Sequence, residues 1–305
     1  MVTSPDFRSG FVALIGRPNV GKSTLLNLIL DQKVASVSPR PQTTRRKQLG
    51  IYTEEKAQIV FVDTPGIHNP VHKLGEFMNK VAEDVLKDAD VILWIVDASY
   101  PPHDEDRLVA QFAARSTSIA PLILALNKTD LVSPAIMDQR RQEYTALMDC
   151  AACHTISAQT GKGVPGLKDD LIQRLPVGLP FYDAEQVTDL YEKEIAADFI
   201  RESAMLQLQD ELPHAVGIRV DEYHDLSETQ AEIYATIFVE RESQKPIVIG
   251  QGGSMIKKIG EGARKEIEKL VGRKVYLELR VKVMKNWRND PNALRQFGYH
   301  RPEEE

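Results

Sequence analysis

A glycine-rich segment near the start of the chain has the residue types and the spacing that bind phosphate. Gly16 to Ser23 reads GRPNVGKS, which fits the pattern GxxxxGK[ST], and it falls between a strand candidate at 11–15 and a helix candidate at 23–30. In that setting backbone N–H groups and a helix N-terminus face phosphate oxygens. The spacing predicts that Lys22 reaches the β- and γ-phosphates and that the Ser23 hydroxyl binds Mg²⁺.

Two further motifs follow the ends of later apolar strand candidates. Asp63 to Gly66 reads DTPG, where the carboxylate can hold Mg²⁺ through water and the Gly66 N–H can meet the γ-phosphate. Asn127 to Asp130 reads NKTD. The Asp130 carboxylate can accept two hydrogen bonds from the N1–H and the amino group of guanine, a pair that adenine cannot supply. The sequence therefore predicts a guanine nucleotide site.

Lys128 of this motif and two further segments, Ser157-Ala158 and the loop at 34–47, complete the predicted nucleotide site. We expect Lys128 to lie along the base and the Ser157-Ala158 backbone to reach the guanine O6. The irregular loop at 34–47 is predicted to be mobile and to sense the γ-phosphate through a threonine, with Thr44 favoured over Thr43 as a magnesium ligand.

The predicted nucleotide-binding residues are Gly16, Asn19, Val20, Gly21, Lys22, Ser23, Thr24, Asp63, Gly66, Asn127, Lys128, Asp130, Ser157 and Ala158. The predicted magnesium ligands are Ser23, Thr44 and Asp63, and the residues assigned to catalysis are Asn19, Lys22, Thr44 and Gly66.

A second glycine-rich segment near the C-terminus has a different setting. Residues 250–253 read GQGG, follow the apolar run 247–249 and precede a basic amphipathic helix, with alternating strand candidates at 216–220, 233–239 and 275–283 around them. A loop without side chains lets a nucleic-acid backbone approach closely. The predicted RNA contacts are Gly250, Gln251, Gly252, Gly253, Lys257, Lys258 and Arg264.

The elements that must position these residues follow two patterns. Strand candidates at 11–15, 57–62, 91–97, 121–127 and 153–157 alternate with helices, which predicts a mostly parallel, doubly wound α/β sheet over residues 1–176. Residues 177–190 have no clear period and are predicted to be a linker. A small α+β layer is predicted at 191–290, with Leu206 on the buried face of its first helix, and a tail at 291–305.

Composition and charge exclude several classes of protein. The 305 residues are 42% hydrophobic and hold two cysteines, so neither global disorder nor a disulfide scaffold fits, and a reducing cytoplasm is expected. We find no run long enough to span a membrane and no secretory signal. The net charge of −6 hides an uneven distribution: residues 241–301 hold 15 basic against 6 acidic side chains, whereas 1–240 hold 23 against 35. The division favours two domains with different partners.

Together the motifs resemble those of the Ras-like translation-factor GTPases and, more narrowly, of the Era family, over nearly the whole chain. The resemblance implies a doubly wound P-loop GTPase domain followed by an α+β type II KH domain. It implies a GTP-hydrolysing switch that uses GTP or GDP and Mg²⁺, turns over slowly and is stimulated by RNA. It also implies that the KH domain binds the 3′ end of 16S ribosomal RNA during assembly of the 30S subunit, in the cytoplasm with a loosely membrane-associated fraction. We expect a monomer that does not bind DNA.

Two positions qualify the resemblance. Ile67 follows DTPG, where better-known small GTPases place the glutamine that orients water, so another group must hold the water. Relatives with an asparagine in the phosphate loop use it to help bind K⁺, and Asn19 matches that position. The resemblance thus implies that K⁺ accelerates hydrolysis through Asn19; the alternative is that Asn19 only stabilises the loop turn.

Two other functions remain open from the sequence. A P-loop kinase would use the same phosphate site, although the guanine motif argues against it, and a constitutive RNA-binding module would hold its nucleotide for structure alone.

Cys150 and Cys153 have the spacing of zinc ligands but lack a second pair, so they are interpreted as structural thiols. His68 is interpreted as a surface residue, with water positioning as a minor alternative.

Overall fold

A six-stranded sheet forms the core of the first part of the chain in the computed structural model, which describes residues 6–115 and 119–299. Its strand order is β2-β3-β1-β4-β5-β6, and only the pairing of β2 with β3 is antiparallel. The strands are β1 (Arg8–Ile15), β2 (Gln48–Glu54), β3 (Ala57–Asp63), β4 (Val91–Asp97), β5 (Leu122–Asn127) and β6 (Ala152–Thr155). The helices of this part are α1 (Lys22–Leu30), α2 (Lys73–Asp88), α3 (Asp104–Arg115), α4 (Pro134–Thr145) and α5 (Val164–Arg174), with a 3₁₀ turn at Thr129–Leu131.

The central strands are near-continuous apolar runs because helices cover both faces of the sheet. Every residue of β3, β4 and β5 is buried. The parallel register places the carboxyl ends of the strands at one edge, where Asp97 of β4 stands beside Asn127 of β5. The loops that carry the sequence motifs therefore leave the sheet at the same edge, the usual ligand-binding edge of a doubly wound fold. The predicted fold class is confirmed.

A three-stranded sheet forms the second part, in the order β7-β8-β9, with β7 and β8 antiparallel and β8 and β9 parallel. Helices α6 and α9 supply buried apolar residues to one core with these strands, including Phe199, Ile237 and Ile267. The elements are α6 (Glu192–Gln207), α7 (Leu212–Ala215), β7 (Gly217–Ser227), β8 (Gln230–Val239), α8 (Lys245–Ile249), α9 (Ser254–Val271), β9 (Lys274–Val283) and α10 (Pro291–Gln296), with 3₁₀ turns at Glu242–Gln244, Gln251–Gly253 and Trp287–Asn289. The predicted α+β layer is confirmed.

Three details differ from the sequence interpretation. Strand β2 was not predicted, since Gln48 to Glu54 has no apolar run and directly follows three basic residues. Leu206 was predicted to be buried but is 49% exposed. The predicted tail contains helix α10, and Tyr299 is buried against Trp287 and Phe297. Residues 300–305 of that predicted tail lie outside the described part.

The chain divides into two compact units, and their bounds differ in part from the predicted domain bounds. The first unit comprises Met1–Ala35, Thr44–Asn69 and Met78–Asp189, and the second comprises Ser36–Thr43, Pro70–Phe77 and Leu190–Glu305. A short loop segment, Ser36–Thr43, and a segment that includes the first turn of α2, Pro70–Phe77, thus group with the C-terminal unit although they lie between motifs of the N-terminal one. Over the described ranges, no helix is both long and apolar enough to cross a membrane.

Candidate nucleotide site and nucleic-acid groove

The phosphate loop has the tight backbone that its glycines predict. Gly16 and Gly21 have positive φ angles of 151° and 102°. A Cβ atom on Gly16 would lie 2.3 Å from the Ile95 carbonyl oxygen, and one on Gly21 would lie 2.3 Å from Nδ2 of Asn127. Because no side chain fits at either position, the loop can lie directly against β4 and β5. Asn19 is exposed in the left-handed conformation at φ 63°, Val20 is fully buried and Thr24 is half-buried.

Lys22 lies under the phosphate loop and is itself buried. Its Nζ donates hydrogen bonds to the carbonyl oxygens of Gly16 and Arg17, both at 3.0 Å. Burial lowers the pKa of Lys22 to about 8, while the nearby Asp63 carboxylate opposes that shift. The ammonium group is therefore held within the loop that the sequence predicts to bind phosphate.

Three oxygen-bearing side chains converge beside Lys22. The Ser23 hydroxyl donates to Oδ2 of Asp63 at 2.6 Å, and Oγ1 of Thr44 lies 3.1 Å from Oγ of Ser23 and 3.4 Å from the same Oδ2. Burial raises the pKa of Asp63, although Lys22 and the two hydroxyls act in the opposite direction. Hydroxyl and carboxylate oxygens are the ligands that Mg²⁺ prefers, so this set fits the ion.

Two observations refine the predicted magnesium site. Oδ1 of Asp63 is buried without a hydrogen-bond partner among the described residues, so this carboxylate keeps one acceptor that a metal ion could use. Thr43 does not join the set, because its hydroxyl donates to the Arg40 carbonyl at 3.0 Å and lies 3.1 Å from Oγ of Ser38. The structure thus brings Thr44, and not Thr43, to Ser23 and Asp63, and their role as metal ligands stays a prediction.

The predicted base-binding residues form one connected group. Nδ2 of Asn127 donates to the Val20 carbonyl at 2.7 Å, and Oδ1 of Asn127 accepts from the Ala158 N–H at 2.9 Å. The Ser157 hydroxyl donates to Oδ1 of Asp130 at 2.6 Å. Asn127 therefore ties the phosphate loop to the 157–158 loop, while Ser157 orients an exposed Asp130 carboxylate that can meet a base.

Asp97, Asp106 and Arg17 form a charged network that the sequence analysis missed. Oδ2 of Asp97 lies 2.7 Å from Nζ of Lys128 and 3.8 Å from Arg17, and Arg17 pairs with Asp106 at 3.2 Å. Burial alone would raise the pKa of Asp97, but hydrogen bonds from Lys128 and Ser99 hold it below its usual value. The available signal was position, since Asp97 ends β4 beside Asn127. This network fixes the Lys128 side chain.

The DTPG segment lies against the phosphate loop. A Cβ atom on Gly66 would lie 2.6 Å from the Pro18 nitrogen, and the Ile67 N–H donates to the Gly16 carbonyl at 3.3 Å. Ile67 is fully buried in the apolar core. The interpretation of His68 as a surface residue was wrong, because only 7% of it is exposed.

The second glycine-rich segment connects two helices. Gly250, Gly252 and Gly253 have positive φ angles of 74°, 58° and 81° between the end of α8 and the start of α9. A Cβ atom on Gly250 would lie 2.6 Å from the Met255 nitrogen, whereas nothing lies within 4 Å of one on Gly252 or Gly253. The last two glycines therefore leave open space beside an exposed Gln251.

A groove lies between β9 and α9, the helix that begins directly after this loop. Its volume is ≈ 330 Å³, and it is lined by Ile256, Lys257, Gly260, Glu261, Arg264, Tyr276, Leu277, Glu278 and Leu279. Lys257 and Arg264, two of the predicted RNA contacts, therefore line the groove. Lys258 is exposed on α9 but does not line it. The lining combines apolar and aromatic side chains, which suit unstacked bases, with two basic side chains that suit phosphates and two acidic ones, Glu261 and Glu278.

The doubly wound sheet with its phosphate loop and guanine motif defines a P-loop GTPase domain, and the small layer with its glycine loop defines a KH domain. A family model described as a 50S ribosome-binding GTPase matches residues 11–128, and one described as a KH domain matches residues 211–288.

Solved structures resemble the chain over nearly all of its length. A crystal structure of Era in complex with MgGDPNP and nucleotides 1506–1542 of 16S ribosomal RNA is 37% identical, with 97% of this chain and 100% of that chain covered and a TM-score of 0.90. A tyrosine-to-alanine variant of Era from Aquifex aeolicus, bound to GDP and AlF4⁻, is 36% identical over the same shares, with a TM-score of 0.91. The chain belongs to the Era family of GTPases.

Proposed function

We propose that this chain is a GTP-hydrolysing switch whose KH domain binds the 3′ end region of 16S ribosomal RNA and that acts in assembly of the 30S subunit. The observation that carries the proposal is the similarity, over 97% of the chain, to an Era structure holding MgGDPNP and that RNA. The groove lined by Lys257 and Arg264 supports the RNA part.

The nucleotide site supports a mechanism built on positioning and charge. Bound Mg²⁺ would neutralise charge that develops on the phosphate oxygens, and Ser23, Thr44 and Asp63 are the residues that would hold it. Lys22 supplies a buried ammonium to the phosphates, and Asp130 selects guanine. The Ile67 side chain has no polar atom and is buried in the core, so slow turnover that RNA stimulates fits this site.

Paired charge reversals on α9 test the RNA part. Lys257→Glu with Arg264→Glu changes two groove residues, whereas Lys265→Glu with Lys269→Glu makes the same change at exposed positions that do not line the groove. We expect the first pair to weaken binding of a 16S 3′-end oligonucleotide by about tenfold or more, measured by fluorescence anisotropy, and the second pair to weaken it less. Equal losses in the two double variants would contradict the groove assignment.

Phosphate release separates this proposal from the other functions. We expect the protein to release phosphate from GTP but not from ATP, and to do so faster when the oligonucleotide is added. Phosphoryl transfer from ATP to a metabolite would instead indicate a kinase. The absence of any turnover, with RNA binding intact, would indicate a constitutive RNA-binding module.

We also propose that Asn19 contributes to a K⁺ site that accelerates hydrolysis. Its φ of 63° is tolerated by glycine, so Asn19→Gly removes the whole side-chain carboxamide at a position whose left-handed backbone glycine readily adopts. We expect wild-type turnover to be about tenfold or more faster in K⁺ than in Na⁺, and we expect that difference to vanish in Asn19→Gly. A K⁺ effect that survives this substitution would leave Asn19 as a turn residue only.

The remaining expectations concern the state and location of the protein. We propose a cytoplasmic monomer with a loosely membrane-associated fraction and no DNA partner, consistent with a ribosomal RNA partner. Size-exclusion chromatography with light scattering tests the monomer. Fractionation of cells in low salt and high salt tests the membrane fraction, which high salt should release.

A further inference from the structure

The segment that follows Asp63 turns its side chains into the protein, which leaves the backbone to face a nucleotide. The Thr64 hydroxyl donates to the Leu14 carbonyl at 2.7 Å and is fully buried. Ile67 belongs to the same buried apolar cluster as Ala82 and Leu86 of α2. Because Ile67 cannot orient water, hydrolysis depends on where the Gly66–His68 backbone is held.

Asn79, on α2, holds that backbone at two points. Its Oδ1 accepts a hydrogen bond from the His68 N–H at 3.3 Å, and its Nδ2 donates to the His68 carbonyl oxygen at 2.7 Å. Asn79 is 8% exposed and His68 is 7% exposed, so water competes little for either bond. A carboxamide offers one donor and one acceptor in a plane, as a neighbouring β-strand does, and an aliphatic side chain offers neither.

The backbone that Asn79 holds is also tied to the phosphate loop. Ile67, the residue before His68, donates its N–H to the Gly16 carbonyl at 3.3 Å, and the His68 ring Nδ1 lies 3.0 Å from the Gly66 carbonyl oxygen. Gly66 itself has no room for a side chain beside Pro18. A shift of His68 would therefore move the Gly66 N–H relative to the loop.

We propose that Asn79 is a positioning residue for GTP hydrolysis, whose carboxamide fixes the Gly66–His68 backbone at the γ-phosphate. The proposal rests on the GTPase function proposed above. Rigid placement of a hydrogen-bond donor matters most where charge develops in the reaction, and a misplacement of about 1 Å costs as much as 10²-fold in rate. GDP has no γ-phosphate, so its binding does not depend on this clamp.

Asn79→Ala tests the proposal by separating catalysis from binding. We expect kcat for GTP to fall about tenfold or more, while the Kd for GDP stays within about twofold of the wild-type value. Asn79→Asp keeps the acceptor but places a carboxylate oxygen against the His68 carbonyl. Its activity relative to wild type should rise as the pH is lowered from about 8 to 6, since a protonated carboxyl regains the donor.

Met78→Ala is the matched control for loss of stability. Met78 is the neighbouring residue on α2 and is 1% exposed, so its truncation destabilises the fold without removing a hydrogen bond. We expect it to lower Tm and to leave kcat and the GDP affinity unchanged. An unchanged kcat in Asn79→Ala, or equal losses of kcat and GDP affinity, would overturn the proposal.

A second measurement keeps this proposal separate from the GTPase function. If the wild-type protein releases no phosphate from GTP, the proposed function fails, but affinities for GDPNP and GDP can still be compared. We then expect Asn79→Ala to weaken GDPNP binding by about fivefold or more relative to GDP binding, because only GDPNP meets the Gly66 N–H. Equal changes for the two nucleotides would overturn the role of Asn79.

Discussion

At the scale of single residues, burial lowers the pKa of Lys22, which its sequence motif does not reveal. Lys22 has its pKa lowered to about 8 because it is buried under the phosphate loop. Only the protonated amine attracts phosphate, so the free protein loses its binding-competent form as the pH rises through 8. Bound phosphates favour the ammonium, and nucleotide binding above that pH must therefore take up a proton.

We expect the Kd for GDP to increase about tenfold from pH 7, above which the terminal phosphate is ionised, to pH 9, one unit above the pKa of Lys22. Isothermal titration calorimetry in buffers of different ionisation enthalpy measures both the affinity and the proton uptake. Lys22→Arg is the control, because a guanidinium stays charged across this range and should remove the pH dependence even where it weakens binding. A flat Kd from pH 7 to 9 in the wild-type protein would contradict this role.

Single residues also mark the limit of prediction from sequence. The motif residues of the nucleotide site could be named because each motif fixes residue types at a fixed spacing. Asp97 and Asn79 could not, because each acts through a partner outside its own element, Lys128 and His68, and no local pattern reports that pairing. Such contacts depend on which strands and helices become neighbours.

At the scale of elements, central strands were easier to predict than the edge strand β2. Strand β4, Val91–Asp97, is buried at every position and was predicted with its bounds correct. Strand β2 lies at the sheet edge beside β3 and has three buried and four partly buried residues. Its alternation of Leu49, Ile51 and Thr53 was the available signal, although a short strand with so few apolar residues gives a weak one.

The turn between β1 and α1 yields a prediction about Gly21. Gly21→Ala would put a methyl group 2.3 Å from Nδ2 of Asn127 in a backbone with φ 102°. The amide would have to leave the Val20 carbonyl, so the loop loses its support from β5. We expect the affinity for GDP to fall by at least about tenfold, measured with a fluorescent nucleotide.

Gly272→Ala is the matched control for that substitution. Gly272 ends α9 at φ 68° with nothing within 4 Å of an added Cβ atom, so it carries the backbone strain without the clash. We expect it to lower stability by about 1 kcal/mol and to leave the GDP affinity unchanged. If Gly21→Ala also leaves the GDP affinity unchanged, the clash with Asn127 does not affect nucleotide binding.

At the scale of the whole molecule, the net charge of −6 conceals a basic C-terminal region. Residues 241–301 carry 15 basic and 6 acidic side chains, and they include α9 with the groove residues Lys257 and Arg264. Binding of RNA to this region releases counterions from the phosphates, so the affinity must fall with salt. The acidic remainder of the chain disfavours RNA binding elsewhere.

This distribution predicts the salt dependence of RNA binding. We expect the logarithm of the association constant for the 16S 3′-end oligonucleotide to fall linearly with the logarithm of salt concentration, by about 0.7 for each phosphate neutralised. Lys257→Glu with Arg264→Glu removes two cations of the groove, so the slope should become shallower by at least about 1.4. Anisotropy titrations between about 50 and 300 mM KCl measure both slopes.

Lys265→Glu with Lys269→Glu is the control for this prediction. It changes the net charge equally at two residues that do not line the groove, and we expect it to change the slope less. If both double variants change the slope equally, the net charge of α9 and not the groove determines the salt dependence.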